Sequence, residues 1–165
     1  MRALTNDQWG FPSNCFVCEA KNEAGLRIAF FHDEEADAVA ARFTLGDAFS
    51  GAPTYAHGGV VLAVLDESMA WAAIAVAHRW AVTGETTTRF EAPVRVDRTY
   101  TVTARITAGP AEGSSSLAAA AEITGEDGTR CATAQATFVV LGEAHAADAT
   151  GAGAGGIDAS WTRPA

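Results

Sequence analysis

Two groups of residues, nine positions apart, could do chemistry together. His57-Gly58-Gly59 opens a long apolar run, and Asp66, followed at once by Glu67, stands in its middle. From Val60 to Ala77, eighteen residues, only Asp66, Glu67 and Ser68 are polar and no Pro or Gly interrupts. This predicts a helix of about five turns, apolar all the way round and therefore buried. Taking an unpaired carboxylate out of water costs several kcal/mol unless its pKa moves or a partner is supplied. A carboxylate in such a helix is either a structural cap or ion pair, or a general base or nucleophile.

Helical spacing favours Asp66. Residues three, four and seven positions away are Gly59, Leu62, Ala63, Met69, Ala70 and Ala73, a mostly small stripe that lets a ligand or another backbone come close. Glu67 lies about 100° round, on a bulkier stripe with Val60, Val64, Trp71 and Ile74. At the helix start, the backbone N–H groups of Gly58 and Gly59 carry no side chain to obstruct them, which suits a developing oxyanion. Gly58 and Asp66 are eight residues apart, about 12 Å along a helix axis, too far to act on one carbonyl. If both are catalytic, two antiparallel copies of the helix about a two-fold axis must bring Asp66 of each chain to Gly58 of the other.

HGGVVLAVLDESMAWA, from His57 to Ala72, resembles the central-helix motif of hotdog-fold acyl-CoA thioesterases, particularly the phenylacetate-pathway (PaaI-like) type. In that family an acidic residue lies nine positions after the His of His-Gly-Gly, as Asp66 does here. Thr83-Gly-Glu-Thr-Thr-Thr-Arg-Phe-Glu-Ala-Pro93-Val-Arg95 is similar to the family's polar strand and its closing turn, and the resemblance spans roughly residues 25 to 141. It implies an α+β hotdog fold, an antiparallel sheet wrapped around one long central helix. It further implies hydrolysis of an acyl-CoA thioester without cofactor or metal, in a homodimer or a dimer of dimers. Gly58 would be the oxyanion donor and the partner's Asp66 the base or nucleophile. His57 would orient the thioester or the Gly58 loop, Thr83 would help place a water, and Gly59, Arg89 and Arg95 would contact substrate. The loop before His57, Ser50-Gly-Ala-Pro-Thr-Tyr55-Ala, lacks the Asn or Gln that many relatives carry there. Two other functions fit a hotdog: binding an acyl-CoA or aromatic ligand without turnover, and hydration of an enoyl or hydroxyacyl thioester. The second usually needs a His beside the carboxylate at the reacting carbon.

The elements around this helix are legible as strands. Leu26–Phe31, Asp37–Leu45, Ala81–Ala92, Thr99–Ile106, Ser115–Thr124 and Thr129–Leu141 alternate or are rich in β-formers, and Gly125-Glu-Asp-Gly128 is a hairpin signal. Strands, one helix and then consecutive hairpins again describe a sheet wrapped round a helix. The 165 residues, 48% apolar, suit one domain. It is expected over 25–141, between an extension (1–24) and an Ala/Gly-rich flexible tail (142–165) with little to bury. Cys15-Phe-Val-Cys18 could be half of a zinc site, but no second half follows in sequence, so the pair is read as packed and unligated. The net charge of −9 and pI near 4.8 argue against nucleic acid or an anionic membrane as partner. Three cysteines and a start without a charged-then-apolar signal pattern point to the cytoplasm. His78-Arg79-Trp80 would bring positive charge to the helix C-terminus.

Overall fold

The computed structural model describes residues 1–6, 13–110 and 115–152. The apolar run forms helix α1, Gly58–Ala75, two residues earlier at both ends than the expected Val60–Ala77. The cause at the N-terminus is a cap. His57 stays extended, and its Nδ1 accepts the Gly59 N–H at 3.0 Å, so the glycines enter the first turn. At the C-terminus His78 takes the left-handed conformation, φ 51°. The Ala77 and Arg79 N–H groups then reach back to the Ala72 and Ala73 carbonyls, closing the helix before residue 77.

Seven antiparallel strands surround the helix in the order β1 (Arg2–Leu4), β2 (Phe30–Asp33), β3 (Ala38–Thr44), β7 (Thr99–Ala108), β8 (Ser116–Gly125), β9 (Arg130–Val140) and β6 (Ala81–Phe90). A small hairpin, β4 (Ser50–Ala52) and β5 (Tyr55–Ala56), delivers the chain to α1. This is the hotdog architecture expected from the sequence. The inner sheet face follows the alternation of the strands: Val102 and Ala104, then Leu117, Ala119, Ala121 and Ile123, then Ala132, Ala134, Ala136 and Phe138 are all buried. So many alanines let the curved sheet approach the helix closely. Against them α1 buries Val61, Val64, Leu65, Met69, Trp71, Ala72 and Ile74, making it a core helix although its length and hydropathy would also suit a membrane span.

Four expectations are corrected. The helix is not buried all round: Leu62, Ala63, Asp66, Glu67 and Ala70 keep intermediate exposure. The strand expected at Leu26–Phe31 begins only at Phe30, because Arg27 adopts φ 54° and breaks the extended chain. The segment before residue 25 is not an appendage: β1 pairs with β2, Leu4 and Val17 are buried, and the Leu26 and Ile28 N–H groups bond to the Phe16 and Val17 carbonyls. The expected flexible tail contains helix α2, Glu143–Thr150, closed by Gly151 at φ 67° with Ala146 fully buried. The end of the tail, Trp161 included, lies outside the described residues.

Candidate functional site

Asp66 and Thr83 are brought together by the fold. The edge strand β6 runs along the open side of α1, and the Thr83 hydroxyl donates to Asp66 Oδ1 at 2.7 Å. The register of β6 on β9 slips between Thr83 and Glu85, leaving Gly84 as the extra residue of a bulge. A Cβ on Gly84 would sit 3.1 Å from Val139 Cγ2 and 3.3 Å from the Thr137 carbonyl, so any side chain there makes its neighbours give by a few tenths of an ångström. Had pairing run on unbroken, alternation would carry Thr83 to the outer face while Thr86 and Thr88 kept theirs. With the bulge, Thr83 reaches the helix.

At the other end of the helix, the Ala56 N–H bonds to the Val94 carbonyl and the His57 N–H to the Phe49 carbonyl, fixing the entry to α1. A Cβ on Gly51 would lie 3.1 Å from His57 Cα, a close approach that only glycine allows without displacement. Because His57 Nδ1 accepts from Gly59, its ring proton sits on Nε2 and the Gly59 N–H is committed to the cap. The Gly58 N–H has no acceptor among the described residues. Gly58 lines an open cleft of about 330 Å³ with Tyr55, Val61, Phe90, Pro93 and Val94. The arrangement therefore separates the two expected donors: Gly58 is available to a ligand and Gly59 serves His57.

Asp66 and Gly58 stay on one helix and are not brought together within the chain. Arg95 does not line this cleft: its guanidinium lies 5.0 Å from the centroid of the Tyr55 ring, which does, and it lines a neighbouring concavity with Arg98 and Tyr100. Arg89 lies elsewhere. It is exposed, next in the strand to Phe90, whose ring borders Gly58, so it projects from the opposite face. There it lines a larger concavity of about 1160 Å³ with Arg105, Arg130, Glu91 and Glu122. That concavity is larger than the Gly58 cleft, but charges of both signs line it and it holds neither Gly58 nor Asp66.

One juxtaposition was missed from sequence. Glu67 points away from Asp66 towards the N-terminal segment, where Cys15 Sγ lies 3.3 Å from its Oε1. Burial pushes the Glu67 carboxyl up to about 8, although the residue as a whole is only half-buried. The hydrogen bond from Cys18, then the backbone N–H groups of Cys18 and Val17, lower Cys15 to about 5, while Cys18 moves up because it shares its proton with Cys15, is partly buried and lies near the Glu67 charge. The available signal was the lone carboxylate on a bulky helical stripe, which required a partner from somewhere.

A comparison with protein-family models matches residues 54–132 to the thioesterase superfamily. No curated protein sequence matches the chain. Among solved structures, a thioesterase superfamily protein is similar with 22% identity and a TM-score of 0.70, over 76% of this chain and 60% of the other. The present chain thus spans less than two thirds of that protein's length. The Escherichia coli PaaI protein from the phenylacetic acid degradation operon is similar at 21% identity and TM-score 0.62, covering 71% and 81%. A hypothetical thioesterase from Streptococcus pneumoniae, solved with coenzyme A, is similar at 16% identity and TM-score 0.58, covering 62% and 80%. At these identities the structures speak for the fold, and the family model speaks for the segment holding His57-Gly58-Gly59, Asp66 and Thr83. The chain thus has the hotdog fold of these solved thioesterases, and its residues 54–132 match the thioesterase superfamily model.

Proposed function

We propose that the protein hydrolyses an acyl-CoA thioester, with Asp66 as general base at a site completed by a second copy of the chain. The observation that carries this is the Asp66–Thr83 pair, a carboxylate held by a hydroxyl at 2.7 Å on the half-exposed side of a largely apolar helix. A purely structural carboxylate would be expected to face an arginine or a helix end; this one faces a hydroxyl and open space.

The thioester carbonyl docks in the cleft at the start of α1 and accepts a hydrogen bond from the Gly58 N–H, where the helix dipole favours negative charge. Asp66 of the partner subunit takes a proton from water, whose oxygen adds to the carbonyl carbon. The tetrahedral intermediate then expels the thiolate, which recovers the proton from the carboxyl group. Thr83 fixes one carboxylate oxygen and leaves the other to face the water. His57 holds the first turn in shape, and Arg95 on Tyr55 places a cation beside the cleft for the phosphates of coenzyme A. No cofactor is needed for these steps.

Three features support the dimer. Gly58 and Asp66 are about 12 Å apart along one helix. Strand β6, ten residues long, ends the sheet with an edge that no strand among the described residues pairs. Phe90 is 55% exposed beside Gly58, continuing the open stripe of α1. Two-fold pairing of the β6 edges would cover all three. The thioester link is read from coenzyme A in the pneumococcal relative together with the family model that the core matches.

The test is free-thiol release from short, medium, long and aryl acyl-CoAs, with wild type and Asp66→Asn compared at equal dimer content. Turnover of one class, lost at least about a hundredfold in the variant, supports the reading. Saturable binding with the thioester unchanged would replace it with a ligand-binding role.

A further inference from the structure

Two cysteines and a carboxylate converge at a point the proposed chemistry does not use. We infer that Cys15, Cys18 and Glu67 bind one zinc ion or a similar thiophilic divalent cation, which ties the N-terminal segment to the middle of α1. The site goes beyond the proposed hydrolysis and does not depend on it.

The ligand atoms are the first argument. Cys15 Sγ, Cys18 Sγ and a Glu67 carboxylate oxygen all lie within 4.8 Å of one another. In a tetrahedral zinc site, with Zn–S about 2.3 Å and Zn–O about 2.0–2.2 Å, ligand atoms stand roughly 3.5–3.8 Å apart. Closing this cluster on an ion needs side-chain shifts of about an ångström or less, and Cys15 and Glu67 are already at 3.3 Å. Two thiolates and one carboxylate give a soft, anionic donor set that favours zinc over magnesium or calcium.

The surroundings are the second. In the Cys15-Phe16-Val17-Cys18 turn, the Val17 and Cys18 backbone N–H groups point at Cys15 Sγ at 3.3 and 3.5 Å. The Asn6 side-chain amide donates to Cys18 Sγ at 3.4 Å and to Glu19 Oε2 at 3.3 Å. Each sulfur thus has N–H donors that steady a metal-bound thiolate, the outer arrangement that metal sites use to orient their ligands. The turn itself is anchored, because the Leu26 and Ile28 N–H groups bond to the Phe16 and Val17 carbonyls. The third donor comes from 49 positions beyond Cys18, on a helix with no other reason to place a carboxylate on its bulky stripe.

Three protein ligands leave the fourth position to water. The apo cluster's remaining protons leave to solvent as the ion binds. The consequence is structural. A bond from Glu67 to the Cys15–Cys18 turn fixes α1 one residue from Asp66 and holds the chain before β2 against it.

The experiment uses the full chain, purified under reducing conditions without a metal-affinity tag, with Cys131→Ser as control. Metal analysis is expected to find one zinc per chain, removable by chelator. Cobalt(II) added to the stripped protein should give a tetrahedral visible spectrum with thiolate-to-cobalt charge transfer. Cys15→Ser and Cys18→Ser should lose that charge-transfer intensity, and Glu67→Gln should weaken cobalt affinity by at least about a hundredfold, the upper end of what an outer hydrogen bond contributes. Cys131→Ser should change nothing. If a cysteine variant fails to fold, as circular dichroism would show, the wild-type titration and Glu67→Gln decide. No stoichiometric zinc together with no cobalt spectrum overturns the site, as does a spectrum indifferent to Glu67→Gln. So does a Cys15–Cys18 disulfide, two mass units lighter, in freshly lysed cells.

Discussion

Replacing Thr83 with valine removes a hydroxyl and keeps the shape, so it isolates the hydrogen bond to Asp66. A hydrogen bond to a charged acceptor contributes about 1.5–3 kcal/mol when water is excluded. Thr83 is exposed and Asp66 half-buried, so water competes and the lower end applies, about 1–1.5 kcal/mol. At about 1.4 kcal/mol per tenfold, Thr83→Val should lower kcat/KM roughly five- to tenfold, against at least about a hundredfold for Asp66→Asn. The decisive measurement is the double variant. If Thr83 works only by holding the carboxylate, adding Thr83→Val to Asp66→Asn should cost less than about twofold more, so that the two effects are far from additive. Thiol release under subsaturating substrate gives the rates, and melting temperatures should be unchanged, since a β-branched residue replaces another on an edge strand. A Thr83→Val variant as fast as wild type would mean the 2.7 Å bond is idle. A loss of equal size in both backgrounds would mean that Thr83 acts on the substrate independently of Asp66.

A Cβ added to Gly58 meets the Phe90 ring at 3.6 Å, an ordinary contact, so Gly58→Ala should fold with an unchanged melting temperature while the methyl group crowds the cleft and lowers kcat/KM by about tenfold or more. Leu62→Glu puts a charge on the open stripe of α1 without entering the protomer core; sedimentation should show folded monomers, and activity should return with neither higher substrate nor lower salt. Gly84→Ala forces a methyl against Val139 and Thr137; it should cost about 1–2 kcal/mol by thermal melting and also slow turnover, because the bulge that turns Thr83 inward is disturbed. Truncation after Leu141 removes buried Ala146; differential scanning fluorimetry should show a loss of about 2–4 °C, as expected for roughly 1 kcal/mol in a chain of this size, whereas an unpacked tail would leave the melt unchanged.

Most of the fold was legible because its elements obey two simple periods. Thr99–Ile106, Ser115–Thr124 and Thr129–Leu141 alternate, and each became a strand within a residue or two, while the apolar run after His57 became the helix. The displaced boundaries have backbone causes that composition does not display. Arg27 and His78 take positive φ angles, 54° and 51°, without being glycine; Arg27 is flanked by bonds from Leu26 and Ile28 to the Cys15–Cys18 turn, and His78 by bonds from Ala77 and Arg79 back to the last turn of α1. Helix α2 was missed because an alanine-rich segment was weighed by how little it buries and not by alanine's helix propensity, the highest of any residue. One small side chain, Ala146, was enough to dock it.

The site divides along a different line. Asp66 and Gly58 could be singled out from one helix alone, since spacing and residue size decide which side of it is open. Thr83 could be reached only by the family resemblance, because its direction depends on a bulge at Gly84 that no period reveals. Glu67 was passed over for an instructive reason: the bulk of its helical neighbours was read as evidence against chemistry, when a carboxylate among Val60, Val64 and Trp71 is the one that most needs a partner. That partner sits fifty-two positions earlier at Cys15, a contact set by how β2 and the segment before it close over the helix. Adjacent carboxylates on one helix thus have divergent surroundings, one facing a hydroxyl at an open edge and the other facing two thiols under a closed flap. A change at Glu67 should consequently act on metal content and stability, and a change at Asp66 on turnover, although the two residues are neighbours in the chain.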